Sequence, residues 1–387
     1  MQYHKLYIAM LASMLNFISA TPPLSDIAQK KLLMPPPPNV SSEAYILIDS
    51  ATSTVIAEKK PDKKMKPASL TKLLTTYVIF SALSQGHVAA DDEVRVSTNA
   101  WKIEGSRMFL GENTKVDLQT LLKGTIITSA NDASIALSEH YAGSEQNFAL
   151  IMNRVAKSFG MNHSSFITAT GLDNDQHFST ARDIATLSQH IINDFPEYFH
   201  WFSEESITYA NITQNNRNQL IQSHPEVDGL KTGYTDSAGY CLASTAKKGN
   251  TRLILVTLNA PSVQNRNRDT MALLNYGFRF YDTELVYPAN TAVTNTKVYK
   301  GILSETNLKT HKPYWITIPK GSKDHISIDI IEKTVIAPVS TESPIGFITS
   351  SLDGTTISEA PLYAENDIQE HQGIKRYIDC VKLFFQP

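Results

Sequence analysis

The chain has 387 residues, 42% hydrophobic and 19% charged, enough to bury the cores of two globular domains. A formal net charge of -3 gives no overall basic field, which excludes a general nucleic-acid binder. Two cysteines, Cys241 and Cys380, exclude a disulfide framework, and their settings predict two buried thiols.

Residues 1–20 carry Lys5 as their only charge, followed by an apolar run from Leu6 to Ile18 and then Ser19-Ala20. The run is too short to cross a bilayer and the small Ala20 suits cleavage, so the segment reads as a secretory signal peptide. Residues 21–38, ending in Pro35-Pro36-Pro37-Pro38, read as a stiff extended lead-in. Two β-rich runs, Tyr45–Ile48 and Thr54–Ala57, flank Asp49–Ser53 and predict a hairpin.

Lys66-Pro67-Ala68-Ser69-Leu70-Thr71-Lys72 follows. Proline suits the first turn of a helix, and Leu70, Leu73, Leu74, Tyr77 and Val78 recur at helical spacing, so a buried helix opens near Pro67. Ser69 and Lys72 then share a face. A serine hydroxyl needs a base, and lysine can serve only when neutral, which requires burial or a nearby cation to lower its pKa and predicts a second cation close by, for which Lys231 is the candidate. A second Ser-x-x-Lys, Ser244–Lys247, falls in a strand, where residues three apart face opposite sides.

The text stays mostly helical to about Tyr198. Ser129-Ala130-Asn131 stands at the start of one helix, where a Ser-x-Asn is ordinarily a cap. Lys231-Thr232-Gly233 precedes two predicted strands, Gly239–Lys247 and Thr251–Leu258, and offers a cation, a hydroxyl and a position without a side chain. Gln264–Phe280 reads as a helix. Composition then changes to short alternating runs such as Tyr314–Ile318 and Ile326–Ile330, a small all-β domain. At the end, Ile374, Tyr377, Ile378, Val381, Phe384 and Phe385 share one helical face beside Lys375, Arg376 and Lys382, the pattern of a helix lying in a membrane interface.

Ser-x-x-Lys at 69, Ser-x-Asn at 129 and Lys-Thr-Gly at 231, in that order, are the three motifs of penicillin-binding proteins and class A β-lactamases. With Gly171-Leu172-Asp173, Ser179–Asp183 and Asp228–Asp236, the chain resembles the low-molecular-mass penicillin-binding proteins, serine D-alanyl-D-alanine carboxypeptidases of peptidase family S11. The resemblance implies an α+β fold, an antiparallel sheet covered by helices, over residues 39–281. It further implies a β-rich domain over 282–366 and an amphipathic anchor over 367–387. It makes Ser69 the acylated nucleophile, Lys72 its base and Ser129 the proton relay to the leaving D-alanine. Asn131 would hold the substrate amide, Lys231, Thr232 and Gly233 the substrate, and the N–H groups of Ser69 and Tyr234 the oxyanion. An arginine after the strand pair, Arg266 or its neighbour Arg268, would bind the terminal carboxylate.

The implied partners are peptidoglycan stem peptides, β-lactam antibiotics and the membrane surface, with no cofactor, metal or nucleic acid. The implied location is the periplasmic face of the bacterial inner membrane. Thr170 and Tyr234 stand where relatives often carry histidine, which bears on deacylation. A β-lactamase of class A needs a deacylating glutamate in an E-x-x-L-N pattern, absent between Asn131 and Lys231. No H-E-x-x-H is present for a zinc peptidase. Other readings are a catalytically silent wall-binding or scaffolding protein, and an endopeptidase, which a carboxylate-binding Arg266 disfavours.

Overall fold

A computed structural model describes residues 34–384; the leader read over 1–20 lies outside the described residues. A five-stranded antiparallel sheet has the spatial order Val55–Lys59, Ala44–Asp49, Thr251–Ala260, Gly239–Lys248, Val227–Thr235. The N-terminal hairpin therefore pairs with strands some two hundred residues later, in register Tyr45↔Thr257 and Leu47↔Leu255.

Alternation along the strands feeds two cores, because successive side chains leave a strand on opposite faces. Ile46, Ile48, Ile254 and Val256 join the larger core with Leu70, Leu73, Leu74 and the helices that follow. Tyr45, Leu47, Leu253 and Leu255 join Leu273, Leu274 and Tyr276 of the helix Val263–Phe280 on the other face. The sheet is covered on both sides, so its central strands are apolar at nearly every position. Each Leu or Ile so buried stabilises the fold by roughly 1.5–3 kcal/mol. Ser244 is buried and Lys247 exposed on one of these strands, so that second Ser-x-x-Lys is not a site.

Lys231-Thr232-Gly233 precedes the two predicted strands and itself lies in a further one, the edge strand Val227–Thr235, whose Gly229 and Gly233 weaken the strand signal. One sequence expectation needs correction: Cys241 is buried, but Cys380 is exposed on the C-terminal helix.

From Tyr281 the chain forms β structure. Tyr281–Tyr287 pairs with Tyr314–Pro319, and a six-stranded sheet runs to Ala364. Tyr314, Ile316 and Ile318, alternate residues of one strand, pack with Leu308, Ile348 and Leu362. A buried contact ties this region to the catalytic one: Thr283 Oγ1 donates to Asp49 Oδ2 at 2.6 Å.

The helix Ile374–Phe384 turns Asp379 inward. Asp379, only 5% exposed, accepts from the Lys300 N–H at 2.8 Å. Ile374, Tyr377, Val381 and Phe384 all remain exposed.

Candidate active site

Ser69 lies in the single 3₁₀ turn Ala68–Leu70, immediately before the helix Thr71–Ser84. That helix is buried almost all round, with Leu73, Leu74, Val78, Ile79 and Phe80 at 3% exposure or less, so the turn is carried on a rigid element. Ala68 has φ of +48°, a left-handed conformation costly for a residue with a Cβ and characteristic of functional sites. The edge strand explains the constraint. A Cβ on Gly233 would lie 2.9 Å from the Pro67 carbonyl and 3.1 Å from the Ser69 nitrogen, so the strand runs directly against the serine turn.

Lys72 is fully buried, with its amine 3.0 Å from Ser69 Oγ, 2.7 Å from Asn131 Oδ1 and 2.7 Å from the Thr170 carbonyl. Burial lowers its pKa to about 7, against the pull of Asp132 and Glu145 in the opposite direction. The lowering amounts to roughly 5 kcal/mol in favour of the neutral amine. A neutral amine has two hydrogens and one lone pair. With the hydrogens donated to Asn131 and Thr170, the lone pair is left for the Ser69 hydroxyl.

Ser129 is delivered differently. A π-helical turn, Gly124–Thr128, widens and underwinds the chain, and Ser129 follows at φ +63° before the helix Asn131–Ala142. It ends that turn as its left-handed C-cap rather than N-capping the next helix, whose N-cap is Ala130, and it lines the cleft. Asn131 is fixed from three directions: its N–H donates to the Ser106 carbonyl at 2.7 Å, Nδ2 to the Glu104 carbonyl at 2.6 Å, and Oδ1 receives Lys72. The adjacent Asp132 accepts the Met108 and Leu110 N–H groups, both at 3.1 Å, and so anchors the loop over the cleft.

Ser69, Ser129, Thr232, Gly233, Tyr234 and Arg266 share one cleft of about 390 Å³. Lys231 is 2% exposed, and burial, followed by Lys72, Arg217 and Arg266, holds its ammonium well below the usual lysine value. Its amine donates to the Thr232 carbonyl, Arg217 to the Thr128 carbonyl, and Arg266 to Asn267 Oδ1, all neutral acceptors. Arg217 and Arg266 thus both line the cleft, with Lys231 buried close enough to feel the charge of each. Arg268 is set apart, largely exposed and paired with Asp269. Tyr234 presents its ring at the mouth against Tyr240, with its hydroxyl on Asp236.

The lowered amine of Lys72 is explained by burial, the first of the two causes the chemistry allows. Two features carried no sequence signal: Arg217, an isolated cation in a polar loop, and the Thr170 carbonyl, a backbone group. Thr170 meets Lys72 through its main-chain oxygen and not its side chain.

A family profile described as "D-alanyl-D-alanine carboxypeptidase" matches residues 31–262, and one described as "Penicillin-binding protein 5, C-terminal domain" matches residues 281–370. The chain is 36% identical over 338 residues to the D-alanyl-D-alanine carboxypeptidase DacA of Haemophilus influenzae, covering 86% of both proteins. It is 38% identical over 356 residues to the D-alanyl-D-alanine carboxypeptidase DacC of Escherichia coli, covering 90% of this chain and 89% of the relative. The structure of penicillin binding protein 5 from Haemophilus influenzae matches with a TM-score of 0.82 at 36% identity, over 86% of this chain and 99% of that one. The chain belongs to the D-alanyl-D-alanine carboxypeptidase family.

Proposed function

We propose that this enzyme removes the terminal D-alanine from peptidoglycan stem peptides through an acyl-enzyme on Ser69, and that β-lactams acylate the same oxygen. One observation carries the reading: a hydroxyl 3.0 Å from a buried amine whose pKa burial lowers to about 7, beside a cleft lined by Arg217 and Arg266, each donating to a neutral acceptor.

In this reading Ser69 Oγ attacks the carbonyl carbon of the penultimate D-alanine while its proton passes to Lys72 Nζ. The N–H groups of Ser69 and Tyr234 receive the developing oxyanion. The C–N bond then breaks, and the departing amine takes a proton through Ser129. Water attacks the resulting ester, returns a proton to Lys72, and releases the shortened peptide and the Ser69 hydroxyl. Asn131 orients both the lysine and the substrate amide. Lys231, Thr232, Arg266 and Arg217 hold the terminal carboxylate, which supplies the counter-ion those cations lack. Gly233 lets the substrate backbone lie against the edge strand.

We further infer that the protein is exported and held peripherally at the membrane surface. The terminal helix supports this, since its buried side carries Asp379 while Ile374, Tyr377 and Phe384 are at least 73% exposed. Among the described residues no helix is long and apolar enough to cross a membrane.

The test is release of free D-alanine from a stem pentapeptide by the purified protein. Ser69→Ala is expected to abolish it. Release that survives the change would remove Ser69 from the chemistry, and an inactive wild type would favour a scaffolding role.

A further inference from the structure

Close to the site lies a buried titratable side chain that the mechanism above does not use. His177 is 2% exposed and lies beneath the serine turn, remote in sequence from each of the three motifs. Its Nδ1 faces the backbone N–H groups of Ile167 and Thr168 at 3.2 and 3.4 Å, and its Nε2 lies 2.8 Å from Thr71 Oγ1. Backbone N–H groups only donate, so Nδ1 must be the acceptor and the ring proton must sit on Nε2, donated to Thr71. A doubly protonated ring would set N–H against N–H. Burial opposes that form too, pushing the imidazole down to about 4.

The segment so held, Ile167–Gly171, is the one that supplies the Thr170 carbonyl to Lys72. It is held at three further points, one of them on the nucleophile helix. Thr75 Oγ1 donates to the Ala169 carbonyl at 2.7 Å, one helical turn from Thr71, and the Ala169 N–H donates to Glu145, which is anchored on the helix Glu145–Ser158. Gly171, at φ +81°, passes so close that a Cβ there would lie 1.9 Å from the Ala68 carbonyl. The segment therefore cannot shift without moving relative to both the serine and the lysine.

We propose that His177 is a positioning residue for the acylation step: as the neutral, Nε2-protonated imidazole it ties Ile167–Gly171 to Thr71, and so fixes the carbonyl that turns the Lys72 lone pair toward Ser69. This rests on the reading of Lys72 as the base. Without the tie the carbonyl loses one of its anchors and shifts relative to the amine, so the oxygen and its base lose their alignment while the cleft-lining Arg217 and Arg266 are untouched. Acylation should slow and non-covalent binding should not change.

The experiment is rapid-mixing kinetics of the full chain with a chromogenic cephalosporin, separating the saturating acylation rate constant from the dissociation constant of the non-covalent complex. His177→Phe keeps a ring and removes both nitrogens, and Thr71→Val keeps the shape and removes the acceptor. Each is expected to lower the saturating rate about tenfold or more, in the range that small misalignments produce. The dissociation constant should stay within about twofold, and the double variant should be no slower than the slower single one, because both changes break the same link. Acylation at the wild-type rate in either folded variant would overturn the proposal. So would a loss confined to the dissociation constant, or effects that multiply in the double variant. Should His177→Phe fail to fold, Thr71→Val alone decides. Lys72→Ala separates the two readings: if it acylates at the wild-type rate the base assignment fails, whereas a dead Lys72→Ala beside a normal Thr71→Val removes only the role of His177.

Discussion

The pH dependence of acylation follows directly from the burial of Lys72. The amine serves as a base only when neutral, and burial places its pKa at about 7. Acylation should therefore rise with pH through neutrality and level off above it. With that value about half of the enzyme carries a competent base at pH 7 and about 1% at pH 5, whereas an unshifted lysine at about 10.4 would be neutral in only about 0.04% of molecules at pH 7. The lowering is thus worth on the order of a thousandfold in available base. The assay is the saturating acylation rate with a β-lactam measured from pH 5 to 9, with fold integrity checked by circular dichroism at each pH. A tenfold fall per unit on the acid side, with an inflection near 7, is expected. A flat profile, or a rate still climbing at pH 9, would refute a burial-neutralised lysine as the base.

Arg266→Ala should reduce D-alanine release from a free-carboxylate peptide by about ten- to a hundredfold, the ~1.5–3 kcal/mol typical of a hydrogen bond to a charged group. The same change should leave a C-terminally amidated peptide unaffected, and equal losses on both would count against a carboxylate contact. Ending the chain after Gly373 removes the helix with its Asp379 contact to Lys300 and its Arg376–Glu370 ion pair. The shortened protein should float free of anionic vesicles in a sedimentation assay while retaining D-alanine release. Loss of activity would mean that the helix belongs to the fold instead.

What could be read from the sequence divides along the range of the interactions. Ser69 and Lys72 are three residues apart on one turn, so local helical geometry brings them together without help from the rest of the fold. The two faces of the sheet are written in the alternation of Tyr45–Ile48 and Leu253–Val256. The edge strand was harder to read, because the same glycine that lets it approach the serine turn lowers its strand propensity. Arg217 and the Thr170 carbonyl depend on long-range packing, and a main-chain oxygen leaves no mark on a sequence. Cys380 sits on a helix whose apolar residues stay exposed, so an apolar neighbourhood in the text did not mean burial in the fold. His177 shows the same limit, since its role is defined by contacts with Thr71 and with residues 167 and 168, none of which its immediate neighbours in the chain suggest.

The most direct test of Ser69 as nucleophile is mass spectrometry of the intact protein after incubation with benzylpenicillin, followed by peptide mapping. A gain of one opened lactam, located on the peptide carrying Ser69 and absent from Ser69→Ala, is the expected result. No gain in mass, or an adduct on Ser129 instead, would contradict it.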